Sequence, residues 1–264
     1  MPIGERTLIM GILNVTPDSF SDGGKFLDPE AARAHAEALM SDGADIIDIG
    51  GESTRPGAEP LSAEEEWRRV GPALTALGKA TAVPISIDTY KADMARKALE
   101  SGAKIVNDVW GFQKDTEMAH VVADFEAGVV LMHNRERADA DLDIIVDVVA
   151  FLSRSIDTAL KAGVKTDRIV LDPGVGFGKT VDQSAEVIAR LSPVTALGFP
   201  VLLGASRKRF IGNLLGIDNP AERLHGTLGA HLAAATNGAD IIRAHDIKPH
   251  REAFDVFDAV RSVP

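Results

Sequence analysis

The residues best suited to chemistry are Asn14, Asp88, Asn107, Asp172, Lys208, Arg243 and His245, each at or just beyond the polar end of a short apolar run such as LIMGILN, ISID, KIVND or RIVLD. They divide by what they can hold. Asp88, Asn107 and Asp172 offer acceptors and an amide donor against apolar walls, which suits a flat heterocycle whose ring N–H and exocyclic NH2 need partners. Lys208, Arg243 and His245, with the loop Ser53-Thr54-Arg55, suit an anion, most simply phosphate or pyrophosphate. Asn14 beside a diphosphate could complete an octahedral Mg²⁺ site, because magnesium often takes one or two protein oxygens plus phosphates and water. A set of unrelated helix caps would give mostly Ser, Thr, Asp and Asn. Met132, at the end of GVVLM, and Lys208, Arg243 and His245 do not fit that reading.

The elements that must bring these residues together are clearest between Pro84 and Gly111. A short apolar run ends on Asp88, Thr89 offers an N-cap, and Ala92, Ala95, Ala98 and Leu99 recur at helical spacing. Gly102 stands where a helix stops, and a second apolar run ends on Asn107 and Asp108. Strand, helix and strand in so few residues make a right-handed parallel crossover. The same unit recurs along the chain. Strands are expected at about 8–15, 45–51, 84–87, 104–106, 128–132, 168–171, 200–203 and 240–242. Helices are expected at about 29–41, after a capping box of Ser62 and Glu65, at 116–126, 144–162, up to Leu191, at 222–237 and at 248–261. Eight βα units, with no linker or shift in composition, define an α/β fold, a single-domain (β/α)₈ barrel of the TIM type. A doubly wound open sheet is the competing arrangement. In a barrel the polar tips meet at one face, where parallel α/β folds place their chemistry. The long loops Thr16–Phe26 and Glu52–Ala58 would lie at that face.

Composition narrows the classes. Lys and Arg number 28 against 39 Asp and Glu, a net charge of −11, which argues against nucleic acid as a partner. An anionic substrate must then be held by local cations. The absence of cysteine excludes disulfides and thiolate metal sites and agrees with a cytoplasmic protein. No signal peptide or membrane-length apolar stretch is read. Several familiar motifs fail: in GVGFGKT the first glycine of a P-loop would fall on Pro173, and the third glycine of GxGxxG comes one place early, at Gly178. Gly204-Ala-Ser206 is not a nucleophile elbow, since Lys208 replaces the second glycine. His133 and His231 read as structural.

Together MGILNVTPDSFSDGG, DIGGESTRPGA, SIDTYKA, NDVWG, LDPGVGFGK, GASRKRFIG and RAHDI, spanning Met10 to Ile247, resemble the dihydropteroate synthase family. The resemblance implies a (β/α)₈ barrel, a homodimer, and condensation of 6-hydroxymethyl-7,8-dihydropterin diphosphate with p-aminobenzoate in folate synthesis, where sulfonamides mimic p-aminobenzoate. It implies Asn14 as ligand to Mg²⁺ and the pyrophosphate. Asp88, Asn107, Asp172 and Lys208 would hold the pterin, with Met132 and Arg243 packed against it. Thr54, Arg55, Arg243 and His245 would belong to the diphosphate side, and Phe177 and Ser206 would lie beside p-aminobenzoate. Asp88, Lys208, Arg243 and His245 would act in catalysis. The stretch after His133, NRERADAD, departs from the family pattern. A pterin-binding methyltransferase module of a corrinoid system shares barrel and pocket, but does not need ESTRPG and SRKRF. A catalytically inactive pterin-binding protein is disfavoured by the intact Asn14, Arg55, Lys208 and His245.

Overall fold

Alternation within each strand separates two apolar cores. In β1 (Leu8–Asn14), Leu8 and Met10 join Ile46, Val130, Leu202 and Ile241 in one buried cluster, while Ile9 and Leu13 join a much larger one. Successive side chains of a strand point to opposite faces, so a strand buried on both sides feeds both cores. The smaller cluster fills the inside of a closed sheet. The larger one lies between the sheet and the surrounding helices.

The computed structural model describes residues 3–15, 29–52, 59–77 and 81–263. β1 is followed by α1 (Pro29–Ser41), β2 (Ile46–Gly50), α2 (Ala63–Leu77), β3 (Ile85–Asp88), α3 (Ala92–Glu100), β4 (Ile105–Asp108) and α4 (Met118–Asp124). The second half runs β5 (Gly128–Met132), α5 (Ile144–Ala162), β6 (Ile169–Asp172), α6 (Val181–Ala189), α7 (Ser192–Thr195), β7 (Leu202–Leu203), α8 (Arg209–Leu215), α9 (Leu224–Thr236), β8 (Ile241–Ala244) and α10 (Ile247–Arg261). The strands are parallel, in the order β6-β5-β4-β3-β2-β1-β8-β7. A bridge between Leu171 and Val201 joins β6 to β7, with the Leu171 N–H donating to Pro200 O at 2.9 Å, so the eight strands close into a barrel. The open-sheet alternative is thereby excluded.

Strand parity also aims the site. Asp48, Ser86, Asp88, Asn107, Met132, Asp172 and Arg243 fall on the inward phase of their strands, above the apolar residues that fill the lumen. The register aligns them across neighbours: Asn14 opposes Gly50, Gly50 opposes Asp88, Asp88 opposes Asn107, and Met132 opposes Asp172.

The expected Ser62–Glu65 capping box is present, with Glu65 N–H donating to Ser62 Oγ at 3.2 Å and Ser62 N–H to Glu65 Oε2 at 3.0 Å. Gly102, at φ 112°, ends α3 as expected. Thr89 is not the cap of α3. Lys91 holds that position, and Asp115 Oδ2 accepts the Ala92 N–H at 2.8 Å from across the next βα unit. The run read as one helix from 222 is a 3₁₀ turn at Pro220–Glu222 and then α9, because Arg223 at the junction turns inward to bond three carbonyl oxygens. The short helix α8, straight after the basic tip SRKR, has no counterpart in the sequence reading.

Candidate active site

At the C-terminal mouth of the barrel the Arg243 guanidinium is shared between two carboxylates. Its Nε donates to Asp48 Oδ2 at 2.6 Å and its Nη2 to Asp88 Oδ2 at 2.7 Å. Asn107 Nδ2 donates to the same Asp48 oxygen at 3.0 Å. A guanidinium on an inward strand position needs such partners, because an unpaired charge out of water costs several kcal/mol. Burial, with Asp48 and Asp88 overriding its effect, leaves Arg243 more firmly protonated than usual. One cation between two acids leaves one negative charge in excess. Burial, together with Asp48 and against the pull of Arg243, pushes the Asp88 carboxyl up to about 7. Asp48 Oδ1, Ser86 Oγ and Asn107 Oδ1 are buried without a partner among the described residues. Buried polar atoms are nearly always bonded, so three together on β2, β3 and β4 suit a ligand rich in hydrogen-bonding edges.

Asp172 and Lys208 form the opposite wall. Asp172 Oδ1 accepts the Gly174 N–H at 2.7 Å, and burial, against the attraction of Lys208, raises its carboxyl. Lys208 Nζ donates to Val175 O at 2.6 Å and stands 4.6 Å from the centroid of the Phe177 ring. Burial pushes its ammonium down to about 8, against Asp172. The loop carrying Lys208 is braced from behind. Arg207 adopts φ 57° and pairs with Asp246, at 3.0 Å from Nε and 2.5 Å from Nη2. Its N–H meets Thr227 Oγ1 at 3.1 Å, and its carbonyl accepts from Arg223 at 3.0 Å. Ser206 Oγ accepts the His245 N–H at 3.1 Å and lies 2.9 Å from His245 Nδ1.

The structure thus brings together Asp88, Asn107, Asp172, Met132, Lys208, Phe177, Ser206, Arg243 and His245 at one end of the barrel. Asn14 ends β1 in register with Gly50, and its side chain has no hydrogen bond among the described residues. Thr54 and Arg55, and nearly all of the two long loops, lie outside the described residues. His133 and His231 are structural, as expected. His231 Nε2 accepts the Ala205 N–H at 2.9 Å, and its Nδ1 bonds His250 Nε2 at 2.8 Å. His250 Nδ1 in turn donates to Asp246 O at 2.5 Å. Burial lowers both rings below the ordinary histidine value, His231 well below it. Asp48 was missed because it sits inside a strand, not at its tip. A lone acid in the run IIDIG, two places before the tip and in phase with it, was the signal. Lys179 was also missed, because it reads as part of a failed P-loop.

A closed parallel barrel whose mouth pairs a heterocycle-sized set of acids and amides with lysine, arginine and histidine is a barrel enzyme for a polar ring and an anion. The sequence pattern described as pterin binding enzyme matches residues 10–245. Dihydropteroate synthase of Bacillus subtilis is 48% identical over 256 residues, 97% of this chain and 89% of the relative. Two solved structures from Xanthomonas albilineans superpose closely. Dihydropteroate synthase with 4-aminobenzoic acid has TM-score 0.94 and 45% identity, covering 98% of this chain and 94% of the other. The complex with 7,8-dihydropteroate has TM-score 0.90 and 42% identity, covering 98% and 95%. The chain belongs to the pterin-binding enzyme family, among the dihydropteroate synthases.

Asp48→Ala leaves Arg243 with Asp88 alone and Asn107 without its acceptor. Losing charge-assisted hydrogen bonds of this kind costs about 1.5–3 kcal/mol. Urea unfolding is expected to show a lower midpoint at unchanged slope, and calorimetry a weaker affinity for a pterin analogue. An unaltered midpoint and affinity would remove Asp48 from the cluster.

Proposed function

We propose that the chain condenses 6-hydroxymethyl-7,8-dihydropterin diphosphate with p-aminobenzoate to give 7,8-dihydropteroate and pyrophosphate, acting as a homodimer in the cytoplasm. The observation that carries this reading is the pairing, in one barrel mouth, of the Asp48–Arg243–Asp88–Asn107 cluster with the Asp172–Lys208 wall. The pterin ring presents N–H and NH2 donors to Asp88, Asp172 and the open oxygen of Asn107. Its carbonyl faces Lys208, and Met132 packs on the ring. The diphosphate lies toward Arg243, His245, Thr54 and Arg55. The p-aminobenzoate ring lies beside Phe177 and Ser206, the wall where sulfonamides would compete. The exposed Leu214 and Leu215 at the end of α8 offer apolar surface to a second copy.

The leaving diphosphate is attached to a carbon next to an electron-rich pterin. Its C–O bond can therefore break ahead of attack, with the electron pair departing on pyrophosphate and a delocalised cation left behind. An ionised Asp88 stabilises that cation, while Arg243 and His245 receive the leaving anion. Lys208 holds the ring in place. The aniline nitrogen then attacks the exocyclic carbon and releases its proton.

Among the described residues no three His, Asp or Glu gather as a metal cluster. A metal would be held by Asn14, at the tip of β1, with the diphosphate and water, a donor set that suits Mg²⁺. When bound, Mg²⁺ neutralises charge on the leaving pyrophosphate.

The test is turnover. Pyrophosphate release should be accelerated by p-aminobenzoate, with 7,8-dihydropteroate formed alongside it, and should fall in excess chelator. Asp88→Asn should lower kcat by ~10²–10³-fold, more than it raises the pterin KM, because a preorganised charge beside a developing cation contributes about 3–4 kcal/mol. Release at an unchanged rate without p-aminobenzoate would contradict the assignment, and a change in KM alone would make Asp88 a binding residue only.

A further inference from the structure

The loops after β5 and β6 are tied together by one buried lysine that has no place in the mechanism above. Lys179 Nζ donates to Gly174 O at 2.8 Å and to Phe177 O at 3.2 Å, and lies 2.7 Å from His133 Nδ1. These three acceptors match the three donors of an ammonium group. His133 Nε2 lies 2.9 Å from Asp147 Oδ2, which also accepts from Arg135 at 2.9 Å. With Asp147 as acceptor on one side, the neutral ring carries its proton on Nε2 and turns its Nδ1 lone pair to Lys179.

The backbone follows this anchor closely. Gly174 has φ 67°, and a Cβ there would lie 1.9 Å from His133 O. Gly178 has φ 55°, and a Cβ would lie 2.4 Å from Arg135 O. Only glycine permits these approaches. Gln183 Nε2 adds a bond to Asp139 O at 2.6 Å. Arg135 and Asp139 of the segment NRERADAD thus meet the β6–α6 loop and the first turn of α6.

The far side of the same turn faces the site. Between the two carbonyls that Lys179 holds, the Val175 carbonyl accepts from Lys208, and the Phe177 ring lies beside its ammonium. We propose that Lys179, oriented by His133 and Asp147, is a positioning residue that fixes the 174–177 turn, and through it the Phe177 wall of the p-aminobenzoate site. The proposal rests on p-aminobenzoate lying beside Phe177. Small displacements of a substrate-positioning wall cost far more in rate than in fold stability.

Steady-state kinetics at saturating pterin diphosphate on Lys179→Met, Phe177→Ala and the double variant, with thermal unfolding of each, test it. Lys179→Met should raise the p-aminobenzoate KM about tenfold and change the affinity for a pterin analogue less than about threefold. In the Phe177→Ala background the same substitution should change KM less than about twofold, because the wall through which Lys179 acts is already gone. Equal effects in both backgrounds, or an unchanged KM in Lys179→Met, overturn the proposal while leaving the site assignment intact. An unchanged KM in Phe177→Ala overturns the placement of p-aminobenzoate and the proposal with it. If Lys179→Met gives no cooperative transition, Asp147→Asn decides from the outer end of the network. It should raise the p-aminobenzoate KM about threefold, and no change overturns the proposal.

Discussion

The site depends on how one guanidinium is neutralised. Arg243 reaches inward from β8 into a mouth whose floor is apolar, and it needs acids from other strands. β2 supplies Asp48 and β3 supplies Asp88, both on the inward phase. Two acids for one base overshoots by one charge, and Asp88, next to the mouth, carries the excess. That arrangement is costly in the free protein and useful to a ligand with N–H donors. A carboxyl held partly protonated by burial, with Asp48 adding to it, gains most when a donor replaces its proton.

Everything around this cluster serves to keep charges still. Asn107 uses its amide N–H2 on Asp48 and so turns its oxygen elsewhere, which fixes the orientation of a side chain that could otherwise flip. Lys208 hangs between a carbonyl and an aromatic ring. Its loop is fastened by the Arg207–Asp246 pair and by the Arg223 bonds that underlie the left-handed turn at Arg207. The neutral His231–His250 chain runs from the β7 tip to the carbonyl of Asp246, satisfying buried backbone groups without adding a charge near Lys208 and His245. Neutral imidazoles suit that role, since a charged one there would repel both.

The eight apolar runs and their polar ends were legible because parallel strands covered on both faces are apolar throughout and change character only at the tip. Thus Asp88, Asn107, Asp172 and Arg243 could be read as one set. What tips cannot reveal is parity below them. Asp48 is invisible to a rule about strand ends, though counting back by two from Gly50 finds it. Nor does spacing disclose partners across the barrel: Asp115 caps α3 from the next unit, and Lys179 meets His133 over a separation of 46 residues. Thr89 is the local cap candidate for α3, yet the distant Asp115 takes the Ala92 N–H at 2.8 Å while Thr89 Oγ1 reaches only the Lys91 N–H, at 3.3 Å.

The shared-charge account is tested most directly by calorimetry of a pterin analogue from pH 5.5 to pH 8.5 in buffers of different ionisation heat. The folded carboxyl of Asp88 titrates above its unfolded value, so its contribution to stability is complete at low pH and is lost as pH rises through about 7. A ligand that donates N–H groups to the ionised form reverses this sign. Affinity should then rise about tenfold per pH unit below 7 and fall again above about 8 as Lys208 loses its proton, with close to one proton released per site near pH 6 and markedly less in Asp88→Asn. Affinity independent of pH, or proton uptake on binding, would contradict the claim that Asp88 holds the excess charge for the pterin.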